Sequence, residues 1–103
     1  MHQLILEHKS GIDELCRRFN VSRLEVIGSA ARATDFDPQK SDADFLVEFS
    51  KPSALRPLEE YMGFRDEMMK LLGRSVDLIE ARAVKNPYLR KSIDENRELV
   101  FAA

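Results

Sequence analysis

Residues 28–49 read Gly28-Ser29-Ala30-Ala31-Arg32-Ala33-Thr34-Asp35-Phe36-Asp37-Pro38-Gln39-Lys40-Ser41-Asp42-Ala43-Asp44-Phe45-Leu46-Val47-Glu48-Phe49. A short run, Leu24, Glu25, Val26 and Ile27, precedes the stretch and stops at Gly28-Ser29. A polar loop with the turn formers Asp35, Asp37 and Pro38 follows, and Ser41-Asp42-Ala43-Asp44 then runs directly into an apolar segment. The alternation predicts a strand over about 43–49, with Ala43, Phe45, Val47 and Phe49 turned into a core. Asp42 and Asp44 then share the opposite face, roughly 6.5–7 Å apart along the chain. Two like charges so placed repel unless something positive lies between them. Hard oxygen ligands on one face suit Mg²⁺, which keeps waters and bridges to substrate phosphates.

On the N-terminal side, Leu4, Ile5, His8, Ile12, Leu15, Cys16 and Phe19 recur at three- and four-residue spacing, predicting a helix over 4–19. His8 falls on that stripe and reads as a packing residue, since no second His or Cys stands at metal-ligand spacing. Cys16 reads as a small core hydrophobe. The run 24–27 reads as a short strand covered on both faces. A strand that stops at Gly28-Ser29 and opens a helical turn at Ala30-Ala31-Arg32 presents backbone N–H groups and a hydroxyl to an anion. Gly-Ser is also common in ordinary turns.

On the C-terminal side, Pro57 is placed to start a helix that runs to Leu72 and stops at Gly73. Its expected apolar stripe is Leu58, Tyr61, Met62, Met68, Met69 and Leu72. Residues 75–80 predict a third strand, and Asp77 is an acid inside it. Buried acids are rare unless paired or metal-bound. Asp77 is therefore either a solvent-facing strand acid or a third carboxylate beside Asp42 and Asp44. Arg82, Lys85, Arg90 and Lys91 form a basic segment, either a solvated face or the lining for an anionic ligand or partner. Asn86-Pro87 reads as a helix cap and first helical position, and Leu99-Val100-Phe101 as a last short strand or an apolar tail.

The chain of 103 residues is expected to form one domain with a single modest core. A net charge of −2 argues against gripping nucleic acid mainly through phosphates. One cysteine excludes an internal disulfide and a cysteine-based zinc site. No apolar run approaches the ~20 residues that cross a bilayer, and the N-terminus lacks a basic signal-peptide region, so a cytoplasmic protein is expected.

Strand, Gly-Ser turn, Asp-x-Asp strand and a further strand with one acid occur here in a specific order. The motifs Gly28-Ser29-Ala30-Ala31-Arg32, Ser41-Asp42-Ala43-Asp44-Phe45-Leu46-Val47 and Val76-Asp77-Leu78-Ile79 resemble the DNA polymerase β-like nucleotidyltransferase superfamily. They resemble more closely its minimal nucleotidyltransferase (MNT) family, the antitoxins paired with HEPN toxins. The resemblance covers most of the chain, from about residue 24 to 101. It implies an α+β fold, a small mixed β-sheet with helices packed on one face. Gly28 and Ser29 would hold the nucleotide, with Arg32 either contacting its triphosphate or pairing with an acid, while Asp42, Asp44 and Asp77 would bind Mg²⁺ and carry catalysis, with Asp77 also placed to help deprotonate the attacking hydroxyl. The implied reaction is transfer of AMP from ATP to a hydroxyl, a tyrosine by resemblance, of a partner HEPN ribonuclease toxin, with which the chain would form a hetero-oligomer. Two divalent ions would stabilise the attacking and leaving oxygens of such a transfer. The chain departs from the family in having Ala33 where a Gly usually follows the Arg, and in a slightly longer loop before Asp42. Two rivals stand beside this reading: an antitoxin that neutralises by binding alone, and a nucleotidyltransferase acting on RNA or a small molecule.

Overall fold

The computed structural model describes residues 2–28, 43–50 and 56–103. Helices α1 (Gln3–Glu7) and α2 (Lys9–Arg18) lead into strand β1 (Val21–Ile27). Strand β2 (Ala43–Phe49), helix α3 (Pro57–Leu72), strand β3 (Val76–Glu80), a 3₁₀ turn (Ala81–Ala83), helix α4 (Pro87–Glu95) and strand β4 (Arg97–Ala102) follow. Among the described residues the strands form one mixed sheet in the order β3-β2-β1-β4. β1 is antiparallel to both its neighbours, while β2 and β3 are parallel. The parallel pair requires a long crossover, and α3 supplies it. The expected α+β fold with a small mixed sheet is thus the one the chain adopts.

The larger core lies on one face of the sheet. Ala43, Phe45, Val47 and Phe49 alternate into it from β2, as expected, and meet Leu24 and Val26 of β1 and Leu78 of β3. Ile5, Ile12, Cys16, Phe64 and Met68 close it from the helices. Tyr61 fastens α3 to the sheet by donating its hydroxyl hydrogen bond to the Leu78 carbonyl at 2.6 Å. The other face carries a small cluster of Ile27, Leu46 and Ile93. Ile93 belongs to α4, so among the described residues this short helix lies on the face opposite α1, α2 and α3, a departure from the expectation of helices on one face only.

Two local readings change and one open reading is resolved. The single helix expected over 4–19 is broken at His8, whose backbone sits at φ −105°, ψ 13° and whose Nδ1 donates to the Leu4 carbonyl at 2.8 Å. His8 thus closes the first helix by bonding backbone, in keeping with a structural role. Helix α3 buries Glu60, Phe64, Met68 and Leu72, a strict four-residue ridge, and leaves Leu58 and Met62 exposed. The expected stripe is rotated because Phe64 packs between Phe19 and Phe49, with ring centroids 6.1 and 6.3 Å away. A Cβ on Gly63 would stand 2.6 Å from Phe19 Cε1, so a side chain there would push that ring off the helix. Finally, 99–101 is part of a full strand, β4, which makes β1 a central strand. Burial raises the Cys16 thiol to about 12, which leaves it a protonated core group.

Candidate active site

The site grows out of strand register. Ile27 at the end of β1 stands opposite Asp44 on β2, and Asp44 stands level with Asp77 on β3. Adjacent strands lie about 4.8 Å apart, so the two aspartates are neighbours on one face of the sheet. That face is the one opposite the main core, because Ala43, Phe45, Val76 and Leu78 on either side are buried in the core. Both acids sit second in their strands, where the parallel pairing begins. Gly28 follows β1 with φ +66°, the left-handed region that favours glycine. A Cβ there would come within 3.0 Å of Asp44 Oδ2, so the glycine also makes room for the carboxylate.

Gly28, Asp44 and Asp77 open into a cleft of about 190 Å³ whose far wall is Ile79, Leu89, Ser92 and Ile93. One end of the cleft is therefore acidic and the other apolar with a hydroxyl. Helix α4 supplies the far wall because Asn86 caps it, accepting hydrogen bonds from the Tyr88 and Leu89 N–H groups at 2.9 and 3.4 Å, and Pro87 begins it. Arg90 donates to the Ala81 and Val84 carbonyls at 3.3 and 3.4 Å, tying the 3₁₀ turn to the helix. It is thereby a structural member of the basic segment, while Arg82, Lys85 and Lys91 are exposed.

Of the expected site residues, the structure brings together Gly28, Asp44 and Asp77. Asp77 is exposed to the cleft rather than buried. Ser29, Arg32 and Asp42, as well as Ala33 and the loop before Asp42, lie outside the described residues. Among the described residues no group of three or more His, Cys, Asp or Glu is assembled for a metal. Two adjacent carboxylates on an open face are nevertheless a hard, oxygen-only donor pair, which fits Mg²⁺ completed by water and substrate oxygens.

Two features escaped the sequence. The cleft wall of Leu89 and Ser92 carries no motif. The acid buried within a strand is Glu25 rather than Asp77: Glu25 is only 4% exposed. Arg97 on β4 grips both of its oxygens, Nε to Oε2 and Nη2 to Oε1, each at 2.6 Å. Arg23 Nε adds a bond to Oε1 at 2.9 Å. The hydrogen bonds from Arg97, opposed by burial and reinforced by Arg23, hold the Glu25 carboxyl down at about 2. Glu25 interrupts the apolar run before Gly28, and that interruption was the available signal.

A sequence profile described as Nucleotidyltransferase domain matches residues 8–100. A Methanocaldococcus jannaschii protein provisionally named protein adenylyltransferase MJ0128 is 37% identical over 94 residues, covering 90% of this chain and 87% of its own length. A solved structure whose provisional designation is minimal nucleotidyltransferase superposes with a TM-score of 0.74 at 27% identity, covering 95% of both chains. A Shewanella oneidensis MNT antitoxin, solved in complex with a tri-AMPylated HEPN toxin, gives a TM-score of 0.65 at 15% identity. That match covers 96% of this chain and 73% of the other, and at this identity it bears on the fold alone. No described helix is long and apolar enough to cross a membrane.

Proposed function

The chain belongs to the nucleotidyltransferase domain family, and from that premise we propose that it is an Mg²⁺-dependent protein adenylyltransferase and an antitoxin. It moves AMP from ATP to a hydroxyl, a tyrosine, on a partner HEPN ribonuclease in the cytoplasm. The observation that carries this reading is the Asp44–Asp77 pair on adjacent strands, level with the end of β1 and beside Gly28.

Asp44 and Asp77 would hold the metal, with Asp42 two residues before Asp44 as the third carboxylate. When bound, Mg²⁺ supplies charge neutralisation at the transferred phosphorus and on the departing pyrophosphate. The chain's own residues do the rest. The bend at Gly28, with Ser29 and Arg32 following it, takes the leaving phosphates. The apolar end of the cleft, Ile79, Leu89 and Ile93, receives the less polar part of the nucleotide and keeps water from it. Asp77, exposed at the cleft, would accept the proton of an incoming hydroxyl. A tyrosine hydroxyl with a reference pKa near 10 benefits most from such a base.

The acceptor is proposed to arrive as a folded protein and dock over the cleft mouth, residues 1–103 acting as one catalytic domain. The antitoxin named above was captured with an AMPylated HEPN toxin, which supports the same acceptor class here. AMP added near a ribonuclease site places bulk and negative charge where RNA must bind. The deciding experiment incubates the chain with ATP, Mg²⁺ and its partner and weighs the partner by mass spectrometry. Gain of the mass of AMP, lost in Asp44→Asn and Asp77→Asn, is expected. An unmodified partner beside a working adenylyltransferase control refutes the reading.

A further inference from the structure

We propose that the Glu25–Arg97 pair is a positioning device that fixes the far wall of the cleft relative to Asp44 and Asp77, an inference that rests on the reaction assigned above. A buried ion pair is a poor way to gain stability, because well-packed apolar residues of similar size serve as well or better. What it provides is fixed geometry, and here the geometry reaches the cleft. Arg97 stands opposite Ile27, in the same cross-sheet row that continues through Asp44 to Asp77. Its planar fork leaves Glu25 little freedom: both carboxylate oxygens are engaged, each at 2.6 Å. The remaining guanidinium nitrogen, Nη1, donates to Asp94 in the last turn of α4.

Arg97 therefore links three pieces. Glu25 belongs to β1, which delivers Gly28. Arg97 belongs to β4. Asp94 belongs to the helix that presents Leu89, Ser92 and Ile93 to the cleft. Only Asn96 separates α4 from β4, so the height of the helix over the sheet depends on that short connection, the Ile93 contacts and the arginine bridge. Displacement of a wall of the cleft by about 1 Å can cost on the order of 10²-fold in rate. Arg97 and Glu25 do not line the cleft; they act through α4.

The test replaces the pair by apolar residues, Glu25→Leu with Arg97→Met, and measures three properties beside the melting temperature. These are amide hydrogen exchange across 87–95, affinity for the probe Mg·AMP-PNP, and kcat and KM for AMP transfer. The double variant is expected to melt at or above the wild-type temperature. Its α4 amides should exchange about tenfold faster while α3 is unchanged. AMP-PNP affinity should fall about tenfold and kcat by at least as much. Arg97→Lys, which keeps the charge and loses the fork, is expected to match the double variant in α4 exchange and AMP-PNP affinity. Asp94→Asn, which weakens only the helix end of the bridge, should show a smaller loss of the same kind, and it decides the matter should the double variant not fold. Unchanged α4 exchange and unchanged AMP-PNP affinity in a folded variant overturn the proposal. So does a loss of activity that merely follows a loss of melting temperature. If the wild type transfers no AMP, the assigned reaction fails, yet exchange and AMP-PNP affinity still decide whether the pair positions α4.

Discussion

The two faces of the same four-stranded sheet are built by opposite rules. One face is apolar at its centre: Phe45, Val47 and Leu24 meet Phe64, Met68 and Ile12, all buried, and its acids, Glu80 and Glu98, stand on the two edge strands. The other carries Asp77, Asp44, Glu25 and Arg97 around a smaller patch in which Ile27, Leu46 and Ile93 are buried. The first face supplies the area that offsets chain entropy. The second contributes little area, and it can hold charges next to one another because the first has already secured the fold. The period-two alternation of β2 is what keeps the two roles apart, since Asp44 and Phe45 are neighbours in sequence and lie on opposite sides.

The comparison is sharpened by substitutions that should affect one face and spare the other. Phe64→Ala removes a fully buried ring between two aromatic neighbours and should cost about 3–5 kcal/mol in chemical denaturation, lowering activity only as far as the fold is lost. Next in size is the acid sensitivity of the charged face. The Glu25 carboxyl is held at about 2, below the ordinary glutamate value. A depressed acid contributes stability above its unfolded pKa of about 4.3, and that stability disappears as pH falls through the folded value. Wild type should therefore lose about 3 kcal/mol between pH 5 and pH 2 that the Glu25→Leu, Arg97→Met variant does not lose, as read by urea unfolding at each pH. Equal slopes in the two proteins would break the assignment of that charge to the fold. Asp77→Asn should reduce AMP transfer by at least about 10²-fold while shifting stability by less than about 0.5 kcal/mol, the reverse of Phe64→Ala. The smallest effect is expected at Leu58, which is 71% exposed although it sits on the stripe the periodicity selects. Leu58→Ser should change the melting temperature by no more than about 2 °C and leave transfer unaltered.

How far the sequence was legible follows from how local each signal is. Strand β2, helix α3 and the capped start of α4 were legible because alternation, Pro57 and Asn86-Pro87 act within a few residues. Asp44, Asp77 and Gly28 were legible as a set because a family resemblance joined what spacing alone left separate. The buried face of α3 was not legible, since the ridge through Glu60 and Phe64 is chosen by Phe19 and Phe49, distant residues that only the fold brings close. Glu25 and Asp77 show the same limit most directly. Each is an acid inside an apolar run, yet Glu25 lies on central β1, gripped by Arg97 from the neighbouring strand, whereas Asp77 lies on β3 at the end of the strand order. Burial there depends on which strands become neighbours, and a strand's own residues do not state that.

The parallel pairing of β2 with β3 has one more consequence. Asp44 and Asp77 come level only because the chain between Leu72 and Val76 is of a set length. A single residue added to or removed from that connection, if the new register were kept, would turn Asp77 toward Phe45 and bring Val76 or Leu78 to the cleft. That short connection thus behaves as a ruler: its count is held by the need to seat two acids side by side.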